Sequence, residues 1–164
     1  MVRRPRRLPA CGLTAGAILA VAPALAGGVA VTGLDAVDLG RWTGRGDLAA
    51  GDDHCVAVTP GHGPPRFNLA AFGDGAGGRF ELTNGATALP FSVRYDDGRG
   101  PRPLEPGRGL AHLKGHPGTP GLERCRRGDR GARHRLEIRV RERDLARVTA
   151  GRFRGRLHLL ILPE

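Results

Sequence analysis

Few residues in this 164-residue chain stand at spacings that could do chemistry. Cys55 and Cys125 form an even pair once Cys11 is set aside with the N-terminal segment. In an oxidising compartment a disulfide between them is expected; the alternative is two separate buried thiols, which denaturation would expose as free thiol. His112 and His116 would offer two metal ligands from one face of a helix, but Gly115 and Pro117 oppose that helix and no third ligand stands at a telling spacing. Asp52, Asp53 and His54 beside Cys55 suggest an activated thiol, yet a strand-start turn next to a disulfide accounts for them more simply. Asp96 and Asp97 pair carboxylates as acid and base catalysis would need, but Asp-Asp-Gly is also ordinary hairpin chemistry. The glycines from Gly73 to Gly78 do not lie between a strand and a helix in the order a phosphate cradle requires. No catalytic residue, metal ligand or cofactor is nominated, and an enzyme is not expected.

One charged stretch points instead to binding. Arg124, Arg126, Arg127, Arg130, Arg133 and Arg135 could meet phosphates, anionic glycans or lipopolysaccharide, against the plainer reading of a solvated loop leading into a strand. Aromatic residues make up only 4% of the chain, which leaves few rings for stacking on bases and disfavours nucleic acid as a partner. Lys114 is the single lysine among 26 basic residues, so the formal charge of +10 is as readily a product of biased codon usage as of an anionic ligand.

The elements that must position these residues read as strands. Apolar residues recur with period two, which puts them on one face of an extended segment. Leu136, Ile138 and Val140 alternate with Glu137, Arg139 and Arg141; Leu89, Phe91, Val93 and Tyr95 alternate with Pro90, Ser92 and Arg94 before the Asp96-Asp97-Gly98 turn. Phe80 and Leu82 end at the Asn84-Gly85 turn, and weaker strands are expected over Val29 to Leu39, His54 to Val58 and Phe67 to Phe72. Gly73 to Gly78 and the Pro- and Gly-rich stretch from Gly98 to Gly121 read as loops, and Trp42 reads as core. With 27 Gly and 13 Pro the chain cannot be a long helical bundle, while 40% hydrophobic residues argue against wholesale disorder. Short strands joined by such turns indicate one all-β sandwich domain.

Residues 1–26 are expected to be a secretory signal. Arg3, Arg4, Arg6 and Arg7 precede an apolar run from Leu13 to Leu25, and Ala24 and Ala26 supply the small residues of a cleavage site. The run is short of the roughly 20 residues that cross a bilayer, and Pro23 interrupts it, so residues 27–164 are expected to be exported without inserting in the membrane. Without the arginines of the signal the formal charge falls from +10 to about +6.

The segment from Phe153 to Pro163 places Phe153, Gly155, Leu157, Leu159 and Ile161 on one face and Arg154, Arg156 and His158 on the other. Leu160 and Leu162 then make the second face apolar, which predicts cover on both sides of the strand's end. A sandwich ending on such a strand has no later segment for its free edge, and a partner adding a strand there would do so by β-augmentation.

At these residues the chain resembles the spore coat protein U domain, the subunit domain of archaic chaperone-usher pili. The resemblance is carried by Leu34-Asp35-Ala36-Val37-Asp38-Leu39-Gly40-Arg41-Trp42, His54-Cys55-Val56, Phe80-Glu81-Leu82-Thr83-Asn84-Gly85, Leu89-Pro90-Phe91-Ser92-Val93, Cys125, the strand from Arg133 to Val140, Leu145, and the ending from Ala150 to Pro163. It implies an incomplete immunoglobulin-like β-sandwich lacking its final strand, held by a periplasmic chaperone, passed to an outer-membrane usher, and completed by a strand from the neighbouring subunit. It further implies that Phe153, Gly155, Leu157, Leu159 and Ile161 belong to the groove that accepts the donor strand, and that Cys55 and Cys125 form the staple. The protein is then expected to be a minor or tip-like pilus subunit on the cell surface, serving adhesion or biofilm formation. Either Val29 and Val31 begin a donor strand of its own, or the subunit accepts without donating. The alternative function is a self-contained secreted adhesion module that binds anionic surfaces through Arg124, Arg126, Arg127, Arg130 and Arg133.

Overall fold

The computed structural model describes residues 28–59, 63–128 and 133–164; the expected signal segment and Arg130 lie outside them. In chain order the strands are β1 (Gly28–Thr32), β2 (Leu48–Thr59), β3 (Arg66–Gly73), β4 (Glu81–Thr83), β5 (Ala88–Pro90), β6 (Ser92–Asp96), β7 (Arg102–Leu104), β8 (Leu110–Lys114), β9 (His116–Pro117), β10 (His134–Val140) and β11 (Leu157–Pro163). Two short helices, α1 (Gly118–Arg126) and α2 (Glu142–Leu145), flank β10.

Alternating side chains decide which face each strand buries. In β6 Val93 and Tyr95 point inward, in β10 His134, Leu136 and Val140, and in β3 Phe67, Leu69 and Ala71. These rows meet in one core between two sheets. The first sheet runs β1-β2-β10-β6-β7, with β9 added parallel to β2, and the second runs β11-β3-β8. Phe67 of the second sheet packs edge-on against Tyr95 of the first, 6.3 Å between ring centres. The β4–β5 hairpin closes one end of the core with Phe80 stacked on Phe91, and Asn84 Oδ1 accepts from the N–H groups of Ala86 and Thr87 in its turn. The chain is an all-β, immunoglobulin-like sandwich in which, among the described residues, no strand follows or flanks β11 on its second edge.

The structure corrects several boundaries. The Leu89-to-Tyr95 alternation is split at Phe91 into β5 and β6, because the Phe91 N–H turns to the Phe80 carbonyl. The strand expected over Val29 to Leu39 stops at Thr32, where Gly33 takes a positive φ of 76°, and Leu39 and Trp42 pack on the core from a non-strand segment. β2 reaches back to Leu48, so Asp52, Asp53 and His54 lie within a strand and not in a strand-start turn. The largest correction is the stretch from Gly98 to Gly121, which contains β7, β8, β9 and the start of α1. Pro103 is tolerated because β7 is an edge strand, and Pro120 because it falls in the first turn of α1, where an N–H would have no partner.

Candidate functional site

The last strand is fastened at both ends and open along one side. Before it begins, Arg154 exchanges two backbone hydrogen bonds with Thr83, at 2.7 and 2.9 Å. Gly155 then crosses β4 so closely that a Cβ there would stand 2.6 Å from the Glu81 carbonyl oxygen and 3.1 Å from Leu82 Cδ2. Asp74 accepts from the Arg156 N–H at 3.0 Å and sits 3.3 Å from His158 Nε2, which fixes where pairing with β3 starts. At the other end the Glu164 N–H donates to the Arg66 carbonyl. The Glu164 side chain meets the N–H and Nδ1 of His112, whose hydrogen bond holds that carboxyl below the usual range.

The crossing at Gly155 yields a stability prediction. Replacing Gly155 by Val should cost about 1–3 kcal/mol through overpacking against backbone. Gly28→Ala, whose added methyl would be 3.9 Å from its nearest neighbour, should change stability by less than about 0.5 kcal/mol. Urea unfolding of both variants checks the contrast; equal effects would contradict the close crossing.

Between its fastened ends β11 pairs with β3 from Leu157↔Gly73 to Pro163↔Phe67. Its inward residues Leu157, Leu159 and Ile161 touch the core yet stay only partly buried, whereas Leu69 on the neighbouring strand is fully buried. The first sheet shows the same pattern at its own edge. β1 pairs with β2 from Gly28↔Thr59 to Thr32↔Cys55, and its inward Val29 and Val31 are again only partly buried. β1 and β11 lie near one another without pairing. Leu157, Leu159 and Ile161 thus lie half-buried beside a backbone edge that is unpaired among the described residues, with Val29 and Val31 of β1 nearby. Phe153 packs on the same core and Gly155 lies against β4, but both precede the strand, so the sequence-based strand from Phe153 begins four residues late in the structure. Leu160 and Leu162 face away from the core and are 50% and 51% exposed, so the expected cover on the second face is not provided by the described residues.

The disulfide joins Cys55 to Cys125, with Cα atoms 5.9 Å apart. In β2, His54, Val56 and Val58 face the core while Cys55 and Ala57 face α1, which is why five consecutive residues are buried. Gly121 lets the helix approach β9, since a Cβ there would meet His116 Cβ at 2.6 Å. Arg124 and Arg126 lie on this helix, Arg127 caps it and Arg133 precedes β10; the basic loop is therefore in part helical. Arg126 pairs with Glu123 at 3.2 Å, and Arg124, Arg126, Arg127 and Arg133 are all exposed.

The structure also brings together buried polar groups that no sequence pattern singled out. His54, His134 and His116 are buried around Tyr95 and Phe67, with ring centres 5.3–6.1 Å apart where they face His134. His54 Nε2 lies 3.1 Å from the Tyr95 hydroxyl. His134 Nε2 lies 2.9 Å from the Lys114 carbonyl, which can only accept, so that nitrogen carries the proton. Burial, together with the neighbouring His54 and His116, pushes His134 down to about 4; burial also lowers His54, against a backbone hydrogen bond and the charge of Asp52. Burial, then the charge of Asp97, raises the Tyr95 hydroxyl. Burial alone would raise Asp97 as well, but hydrogen bonds from Arg99 and the Lys114 N–H, with the charges of Arg99 and Arg102, hold it below the usual carboxylate range. Asp96 is the ordinary turn residue, accepting from the N–H groups of Gly98 and Gly100, while Asp97 anchors the loop to β8. His112 is exposed on β8 and His116 is buried on β9, so the pair does not share a helical face.

No family model matches the chain, and no curated protein matches it. Among solved structures it is similar to a chain from a chaperone–tip adhesin complex vital for synergistic activation of CFA/I fimbriae biogenesis, with a TM-score of 0.58 and 14% identity. The match covers 83% of this chain and 41% of that one, so the present chain spans less than half the length of its neighbour. At this identity the likeness shows a shared fold.

Proposed function

We propose that this protein is a structural subunit, minor or tip-like, of a surface pilus assembled by a chaperone-usher pathway, and that it belongs with the spore coat protein U domains. The observation that carries the reading is the unpaired edge of β11 beside the partly buried row Leu157, Leu159 and Ile161, facing an equally unfinished β1. A donor strand laid there would gain a ladder of backbone hydrogen bonds and bury the exposed remainder of these side chains. A periplasmic chaperone would hold the groove first, an outer-membrane usher would receive the complex, and a neighbouring subunit's strand would replace the chaperone. Export through residues 1–26 supplies the route to the periplasm and then to the surface, and adhesion or biofilm formation is the proposed outcome. Val29 and Val31 are engaged in their own sheet with β2, which favours a subunit that uses these residues to accept a strand and not to donate one.

Completing the burial of the apolar groove row is worth roughly 2–5 kcal/mol before ordering costs, taking about half the usual value for each side chain because each is already partly covered. The test is to purify the protein alone and with a synthetic strand of alternating Val and Thr, then compare oligomeric state and melting temperature. The protein alone should aggregate through its uncovered edge. With the peptide it should become a one-to-one complex melting about 10 °C higher, a gain that Leu159→Asp removes. A stable monomer indifferent to the peptide would reject the assembly reading in favour of a self-contained module.

A further inference from the structure

We propose that the outer face of the first sheet carries a binding cleft for an acidic saccharide, one bearing carboxylate or sulfate groups. The cleft has a volume of about 690 Å³ and lies where β6 and β10 meet α2. The alternation that turns Val93 and Val140 into the core sends Ser92, Arg94 and Arg139 outward, and Arg141 and Arg143 enter from the turn into α2. Four arginines thus line one cleft against the carboxylates Asp47 and Glu142.

Those guanidinium groups are under-used. Arg139 divides between Glu137 at 3.3 Å and Asp47 at 3.8 Å, and among the described residues Arg143 reaches only Asp144, at 3.8 Å. Arg94 donates to the Pro101 carbonyl, and the Arg141 side chain meets no carboxylate within ion-pair distance among the described residues. Asp47 accepts from the Glu142 N–H at 2.8 Å, which holds the start of α2 against the sheet and shapes the wall. Planar guanidinium forks not satisfied by protein carboxylates match the two-oxygen geometry of carboxylate and sulfate. The size suits a short saccharide, and an open cleft suits a hydrated one. No aromatic side chain lines the cleft, which argues against stacked bases. The site is on the opposite sheet from the β11 groove, so it stands or falls independently of pilus assembly.

The experiment titrates trigalacturonate and a heparin tetrasaccharide by calorimetry in 150 mM salt into the monomeric protein, with the alternating Val and Thr strand bound wherever the protein alone aggregates, and with maltotriose and a short oligothymidylate as comparisons. At least one acidic saccharide should bind, maltotriose should not, and Arg139→Ser with Arg141→Ser should weaken binding at least tenfold. Arg141→Ser alone, which breaks no ion pair, should weaken it several-fold with an unchanged melting temperature. Removing the same charge from α1 with Arg124→Ser and Arg127→Ser should change affinity less than twofold. Equal loss from the α1 pair would show a net-charge effect and overturn the site, as would absent binding or oligothymidylate binding as tightly through the same arginines.

Discussion

Replacing both Cys55 and Cys125 by Ala is expected to lower the stability of the folded domain by about 4 kcal/mol, the chain-entropy value for a closed loop of this length. The sequence separation is 70 residues, and the loop it closes contains β3 through β9, so most of the second sheet and part of the first fold within the constraint. The local loss should be larger than the global one. Cys125 is completely buried and, in the small cluster between α1 and β2, only Leu122 among the described residues adds a further apolar contact. Without the sulfur link α1 has little apolar surface to hold it, and its departure would expose the outer face of β2. Urea unfolding of the native and Ala/Ala proteins measures the global term, and amide exchange at Ala57 and Val58 the local one. A change under about 1 kcal/mol with unaltered exchange would show that the helix is held by something else.

Acid is expected to destabilise the protein before Asp97 protonates. His134 has a folded value of about 4 against an unfolded value near 6.5, so the unfolded chain binds the proton first as pH falls. Stability should therefore be highest above about pH 6.5 and fall by roughly 3 kcal/mol by pH 4, with His54 adding in the same direction. The geometry explains the cost: Nε2 already donates to the Lys114 carbonyl, so a second proton would go to Nδ1, which is buried without a hydrogen-bond partner among the described residues. Facing this ring are His54 from β2, Tyr95 from β6 and His116 from β9, with Asp97 beyond them as the nearby anion. Asp97 itself is held low, so its contribution is lost only at more acid pH and does not flatten the window. Melting temperatures between pH 7.5 and 4.5 should slope downward, and His134→Phe should flatten that slope even if it is less stable at neutral pH. An identical slope in the variant would remove His134 as the cause.

The legible parts of the fold were those where one face of a strand is wet. Glu137 and Arg139 between Leu136, Ile138 and Val140 announce β10 because burial on a single face demands alternation, and the structure returns that strand from His134 to Val140. The Asn84-Gly85 turn and the Cys55–Cys125 link were equally readable, the first from backbone preference and the second from the two cysteines left once Cys11 is set aside with the expected signal. The stretch from Gly98 to Gly121 was not. β7 has three residues including a proline, β8 is interrupted by His112 at a φ of 56°, and α1 buries Gly121 and Cys125, residues too small to give an apolar stripe. A short edge strand and a helix with small contacts leave almost no periodic trace.

The half-buried face of β11 was legible at Leu157, Leu159 and Ile161 but the strand's start was not, because Phe153 and Gly155 continue the alternation while the close crossing over β4 precedes the ladder. The arginine cleft was invisible for a different reason. Arg94, Arg139 and Arg141 each read as the solvent side of a strand or turn, and only the antiparallel pairing of Ser92 with Arg139, together with the approach of α2, puts them beside one another. The same holds for the histidines, which stand at 54, 116 and 134 and converge because β2, β9 and β10 are neighbours in one sheet.

The amino-acid order alone determines an all-β chain with strands of known inward faces, since residue alternation and turn chemistry act over a few residues. Tertiary structure alone decides which edges stay unpaired and which charged or titratable groups meet, because those depend on strand order, and strand order is set by the packing of distant segments into one shared core.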